Sequence, residues 1–241
     1  MEFNPIEELM LELSLDGVRK DKNTVEFVSP DGLITTTLKL NEYNQTITLE
    51  TKLMHGFSQL EGLVYSFAEE LYNRYTDQVV RDIIEDIATQ IKYILFPELF
   101  NNLERFELKD SMEHESTFEC LIDYKDKPYE EIKEEVYSAI DDSFKMITQI
   151  HKQVQSFIEE NINKYLQNPE IELKLLEIKK RLFQVQFYLS MTGRFAEEQK
   201  RKAKRIYREA INLYEKFKAD YPEEYRKYSE LMDLLFEKYK I

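Results

Sequence analysis

From Tyr129 to Tyr165 the chain carries an unbroken apolar stripe: Tyr129, Ile132, Val136, Ile140, Phe144, Ile147, His151, Val154, Ile158, Ile162 and Tyr165. These positions cover 36 residues in ten steps, a mean of 3.6. That is the period of a straight α-helix, whereas a supercoiled seam holds 3.5. Pro128 precedes the run, and neither proline nor glycine interrupts it. A helix this long, apolar along one side, must be packed against others, which predicts a bundle. Three more amphipathic segments follow at about 170–191, 195–219 and 222–239. In the first of these Ile171, Leu175, Ile178, Leu182, Val185 and Leu189 recur at steps of three and four, and Gly193 and Pro222 supply the breaks.

Ahead of the long helix the period changes more than once. Residues 5–15 predict a short helix with Pro5 in its first turn and Ile6, Leu9, Met10 and Leu13 on one side. "DGVRKDKN" is read as its end. "TVEFV", "LITTTLKL" and "QTITLETKL" then alternate apolar with polar residues, separated by "SPDG" and "NEYN", a pattern that predicts a three-stranded antiparallel meander. Two amphipathic helices stopping near Pro97 come next, and "STFECLIDY", with Phe118, Cys120, Ile122 and Tyr124 on one face, offers a fourth strand. The expected fold is α+β and predominantly α, with an N-terminal α/β portion at 1–125 and a C-terminal helical bundle at 126–241.

Composition narrows the function classes. A single cysteine, Cys120, rules out an intramolecular disulfide and leaves a thiolate zinc site short of ligands. The N-terminal stretch carries acids where a signal peptide needs basic residues, and no apolar run approaches membrane-spanning length, so a cytoplasmic protein that does not enter the membrane is expected. There are 33 Lys and Arg against 47 Asp and Glu, a formal charge of −14, yet residues 194–208 hold seven basic and two acidic side chains. An acidic body repels nucleic acid at long range, while a local basic patch can still attract a phosphate backbone or an acidic protein.

Two constellations could carry chemistry. Pro30, Asp31 and then Glu50-Thr51-Lys52 resemble the P-D…(D/E)-x-K pattern of the restriction-enzyme-like nuclease superfamily, and the order helix, three strands, helices, strand is similar to that family's core. The resemblance covers about the first 125 residues. It implies that Asp31 and Glu50 hold Mg²⁺ or Mn²⁺ through carboxylate oxygens, with Glu8 as a further acid, while Lys52 orients the attacking water. The competing explanation is structural: S-P-D-G is a common turn, and Glu, Thr and Lys are what the wet face of a strand selects.

The second constellation is the basic run Lys200, Arg201, Lys202, Lys204, Arg205 and Arg208. With Ala203, Ile206, Tyr207 and Ala210 on the buried side, Arg201, Lys204, Arg205 and Arg208 form one exposed ridge suited to phosphate. Against this stand i,i+4 pairing of Glu197 with Arg201 and Glu198 with Lys202, or neutralisation by the acidic helix that bears Glu130, Glu131, Glu134, Glu135, Asp141 and Asp142. Ala210, Tyr214, Phe217 and Pro222 are similar to half of one tetratricopeptide repeat, but Arg194, Glu197, Glu198 and Arg201 depart from its first helix, leaving an ordinary helical hairpin. His55, His114 and His151 have no ligand partner at helical spacing, and a packed imidazole is expected at His151. Glu119 and Cys120 fall on opposite faces of one strand, so they cannot easily share a site.

The favoured reading is a non-enzymatic interaction or regulatory protein without a cofactor. It binds another macromolecule through its helical part, using Lys200, Arg201, Lys204, Arg205 and Arg208. The expected partner is another protein, with self-association and nucleic acid as the further candidates. The alternatives are a metal-dependent nuclease and a nucleic-acid-binding accessory protein.

Overall fold

The computed structural model describes residues 5–28, 34–111, 114–190 and 196–241. Contacts divide the chain into two units, each built from two segments: unit 1 is 1–64 with 88–158, and unit 2 is 65–87 with 159–241. The fold is α+β and predominantly α, as its periodicities predict.

Unit 1 holds an antiparallel sheet. Among the described residues it has six strands: β1 (Val18–Asp21), β2 (Thr24–Val28), β3 (Ile34–Asn41), β4 (Thr46–Met54), β5 (Glu107–Ser111) and β6 (Glu115–Asp123), in the spatial order β1-β2-β3-β4-β6-β5. The meander and the fourth strand of the sequence reading are β2, β3, β4 and β6, so two strands must be added. The segment read as a helix end supplies β1, and β5 precedes β6. All of β1 and residues 107–110 of β5 are exposed and both strands are irregular in register, so neither displays the alternation that marks a half-buried strand.

One face of the sheet is dry. Val25, Leu38, Ile47, Leu49, Leu53, Phe118 and Ile122 are buried there, together with residues of helix α1 (Pro5–Asp16), whose Ile6, Leu9, Met10 and Leu13 point inward. Two threonines also face the core. Thr36 and Thr51, opposite each other in the β3–β4 register, share a hydroxyl contact of 3.1 Å; Thr36 lies 3.2 Å from Ser143 Oγ, which donates to the Ile140 carbonyl at 2.7 Å. Buried hydroxyls are tolerated only when satisfied in this way.

Helices α2 (Phe57–Tyr65), α3 (Glu69–Tyr72), α4 (Asp77–Gln90) and α5 (Phe96–Phe100) connect β4 to β5, with a wide π-type turn at Ile91–Leu95. The helical run ends at Phe100, close to the expected stop near Pro97, which sits at the start of α5 directly after the π-type turn. The long helix is α6 (Tyr129–Gln167), followed by α7 (Pro169–Ser190), α8 (Ala196–Asp220) and α9 (Pro222–Lys238).

Among its described residues, the regular elements of unit 2 are all helices. α7 and α8 run antiparallel, with Lys202 beside Tyr188, Arg181 beside Glu209 and Lys174 beside Tyr221. α9 folds back on α8: Tyr214 donates to Asp233, and Tyr207 to the Phe236 carbonyl. Ala210, Tyr214 and Phe217 are buried in this ordinary helical array. Among the described residues no helix is long and apolar enough to cross a membrane.

Candidate functional site

The 3.6-residue period of α8 sets its inner face. Ala203, Ile206, Ala210, Tyr214 and Phe217 are buried, which turns Lys200, Arg201, Lys204, Arg205 and Arg208 to the outside, all exposed. Of these five, only Arg205 has an ion-pair partner among the described residues, Glu209 at 3.7 Å along the same helix. The expected pairs Glu197–Arg201 and Glu198–Lys202 do not form; the Lys202 ammonium lies over the Tyr188 ring, 4.2 Å from its centre. Lys200, Arg201, Lys204 and Arg208 therefore present charges that no described carboxylate neutralises. Arginine's planar fork can grip a phosphate or carboxylate through two bonds, which an isolated lysine cannot.

The E-x-K triplet lies on β4. As alternation requires, Glu50 and Lys52 share the polar face, and buried Thr51 points the other way. Each is already engaged: Glu50 accepts from Lys39 at 2.9 Å and Lys52 donates to Glu115 at 2.8 Å. Glu50 also sits opposite Glu119 in the β4–β6 register. Lys20–Glu26 at 2.7 Å and Lys109–Glu119 at 3.6 Å continue the cross-strand pattern. Asp31 lies outside the described residues, so the structure brings Glu50 and Lys52 together without placing the third member. Among the described residues no three His, Cys, Asp or Glu side chains gather where they could hold one metal ion.

Two buried polar clusters escape sequence reasoning. In unit 2, Asp86 is fully buried and accepts from Lys179 at 2.5 Å and Tyr165 at 2.7 Å, while Lys180 reaches Asp82 at 2.6 Å. Burial, followed by the Asp86 charge, holds the Tyr165 hydroxyl well above the usual tyrosine range. Asp82, Asp86, Lys180, Phe183 and Phe187 line a cleft of about 280 Å³ beside this pair. In unit 1, His55 is 4% exposed, its Nε2 lies 2.7 Å from Ser116 Oγ, and its ring packs on Phe96 at 5.2 Å. Burial pushes the imidazole pKa down. Ser116 is itself buried, so this serine–histidine contact gives no nucleophile access to substrate. Partners 61, 79 and 93 residues apart leave no local trace in the sequence.

Cys120 lies on the dry face and Glu119 on the wet one, as alternation predicts. Burial raises the Cys120 thiol pKa, with Arg105 opposing, so the group stays protonated near neutrality. Arg105 itself is held by Asp142 at 2.6 Å and by Ser138 at 3.0 Å. No family model, no curated protein and no solved structure matches this chain.

Proposed function

We propose that the protein is a non-enzymatic interaction protein of the cytoplasm whose helical unit docks an anionic macromolecule on α8, through Lys200, Arg201, Lys204, Arg205 and Arg208. One observation supports this reading: an exposed ridge of five cations in which four lack any carboxylate partner among the described residues. Charge runs on solvated helices ordinarily gain i,i+4 partners of opposite sign, and here Glu197 and Glu198 precede the run without pairing to it. Unneutralised cations held on one rigid face steer an anionic partner and fix its register.

The test is binding by wild type and by Arg201→Glu/Lys204→Glu/Arg208→Glu to two immobilised polyanions, poly-glutamate and duplex DNA. Wild type should be retained at low salt by at least one of them and released by added salt. The charge-reversed variant, checked by circular dichroism for an unchanged helix signal, should not be retained. Retention of both proteins alike, or of neither, would overturn the reading.

A further inference from the structure

We infer that the α8 ridge is shaped for the phosphate backbone of double-stranded DNA and holds it without regard to sequence. This rests on the reading of α8 as the docking element and names its partner. Three features lead there. At about 100° per residue, Lys200, Lys204, Arg208, Arg201 and Arg205 spread over roughly 140° of the helix circumference, opposite buried Ala203, Ile206 and Ala210. The result is a convex cationic face, wide enough to meet phosphates on both sides of a groove. The major groove of B-form DNA admits an α-helix, whereas the deep, narrow major groove of an RNA duplex does not.

The second feature is what the face lacks. A protein-binding patch concentrates aromatic and aliphatic anchors at its centre and is depleted in lysine. The five cations enclose no exposed apolar side chain; Ile211, 38% exposed, stands at the far end of the ridge. Single-strand binders stack bases on aromatic rings. The only ring within this stretch, Tyr207, is half-buried and donates to the Phe236 carbonyl. None of the five is an asparagine or glutamine that would read adenine; lysine and arginine chiefly contact phosphates, which position a duplex without reading its sequence, and the guanine edge is the one base contact open to them.

The third feature is the charge of each unit. Unit 1 carries 13 Lys and Arg against 26 Asp and Glu; unit 2 carries 20 against 21. The acidic excess that would repel DNA thus belongs almost entirely to unit 1, and the cations of unit 2 are concentrated on α8.

The experiment is fluorescence anisotropy with a short labelled DNA duplex of mixed sequence, the corresponding single strand, and labelled poly-glutamate. Wild type should bind the duplex more tightly than either other probe, and equally well when the duplex sequence is scrambled. With about three to five phosphates neutralised, affinity should fall about 40- to 500-fold between 50 and 200 mM salt. Arg201→Lys/Arg205→Lys/Arg208→Lys should retain most of the binding. Arg201→Glu/Lys204→Glu/Arg208→Glu should abolish it, whereas Lys152→Glu/Lys216→Glu/Lys227→Glu, which changes net charge equally at exposed positions elsewhere, should keep most of it. Ridge-dependent binding of poly-glutamate without duplex binding would overturn the DNA assignment and leave the docking reading intact. So would a preference for the single strand. Binding to no probe, or duplex binding that ignores the ridge, would overturn both.

Discussion

His55 gives the clearest residue-scale consequence. Its ring is buried between Ser116 and the rings of Phe96 and Phe100, and burial outweighs the remaining influences, with Lys92 and His114 also lowering its pKa and Glu115 raising it. The folded state therefore favours neutral imidazole, and the unfolded chain binds the proton more readily. The histidine contribution to stability is undiminished above the unfolded pKa of about 6.5 and is lost as pH falls from there toward the lower folded value, at no more than about 1.4 kcal/mol per pH unit. Urea midpoints measured across that window should drop toward acid in wild type and drop less in His55→Phe; equal slopes would exclude the mechanism. Glu50 is a contrast. Its bond to Lys39 is an exposed cross-strand pair, so Glu50→Ala should cost under about 1 kcal/mol. Incubation of wild type with DNA and Mg²⁺ or Mn²⁺ should give no cleavage that Glu50→Ala or Lys52→Ala removes. Mutant-sensitive, metal-dependent cleavage would replace the polar-face explanation with the nuclease one.

Between elements, α4 and α7 meet through Asp86 and Lys179. Removing one partner of a buried pair strands the other charge and costs about 3–5 kcal/mol, whereas replacing both by apolar residues of similar volume is often neutral. Asp86→Ala should lower the unfolding midpoint strongly, and Asp86→Leu/Lys179→Met should recover most of the loss. Failure of the double variant to recover would mean that the Tyr165 hydroxyl, bonded to the same carboxylate, dominates the cost. This scale also explains what could be read in advance. α6 to α9 were legible because their buried residues repeat every three or four positions, and α8 displayed its ridge for the same reason. β2, β3, β4 and β6 were legible by alternation. β1, four exposed residues reading VRKD, and β5 have no buried face to alternate with, so edge pairing alone makes them strands. Pro97 marked the end of the helical run to within three residues, but nothing in the sequence announced the π-type turn at Ile91–Leu95 before it. The Asp86–Lys179–Tyr165 and His55–Ser116 clusters depend on chain returns, which periodicity does not encode.

The charge of the molecule is divided much as its contacts are. With 26 acids against 13 bases, unit 1 has twice as many negative as positive side chains, while unit 2 is nearly balanced at 21 and 20. Cross-strand pairs such as Lys39–Glu50 and Lys52–Glu115 engage only part of that excess, and exposed Glu130, Glu131 and Glu134 on α6 have no ion-pair partner among the described residues. Like-charge repulsion destabilises a compact state and is screened over roughly 10 Å at 0.1 M salt. Added sodium chloride should therefore stabilise unit 1 and leave unit 2 little changed. Hydrogen exchange can follow both together: amides of β3 and β4 should gain protection as salt rises, while those of the middle of α7 should not. The individual surface pairs weaken in the same salt, but each contributes at most about 1 kcal/mol, so the net excess of 13 negative charges decides the sign. Loss of protection in β3 and β4 with salt would mean that the ladder of pairs across the wet face of the sheet outweighs the repulsion.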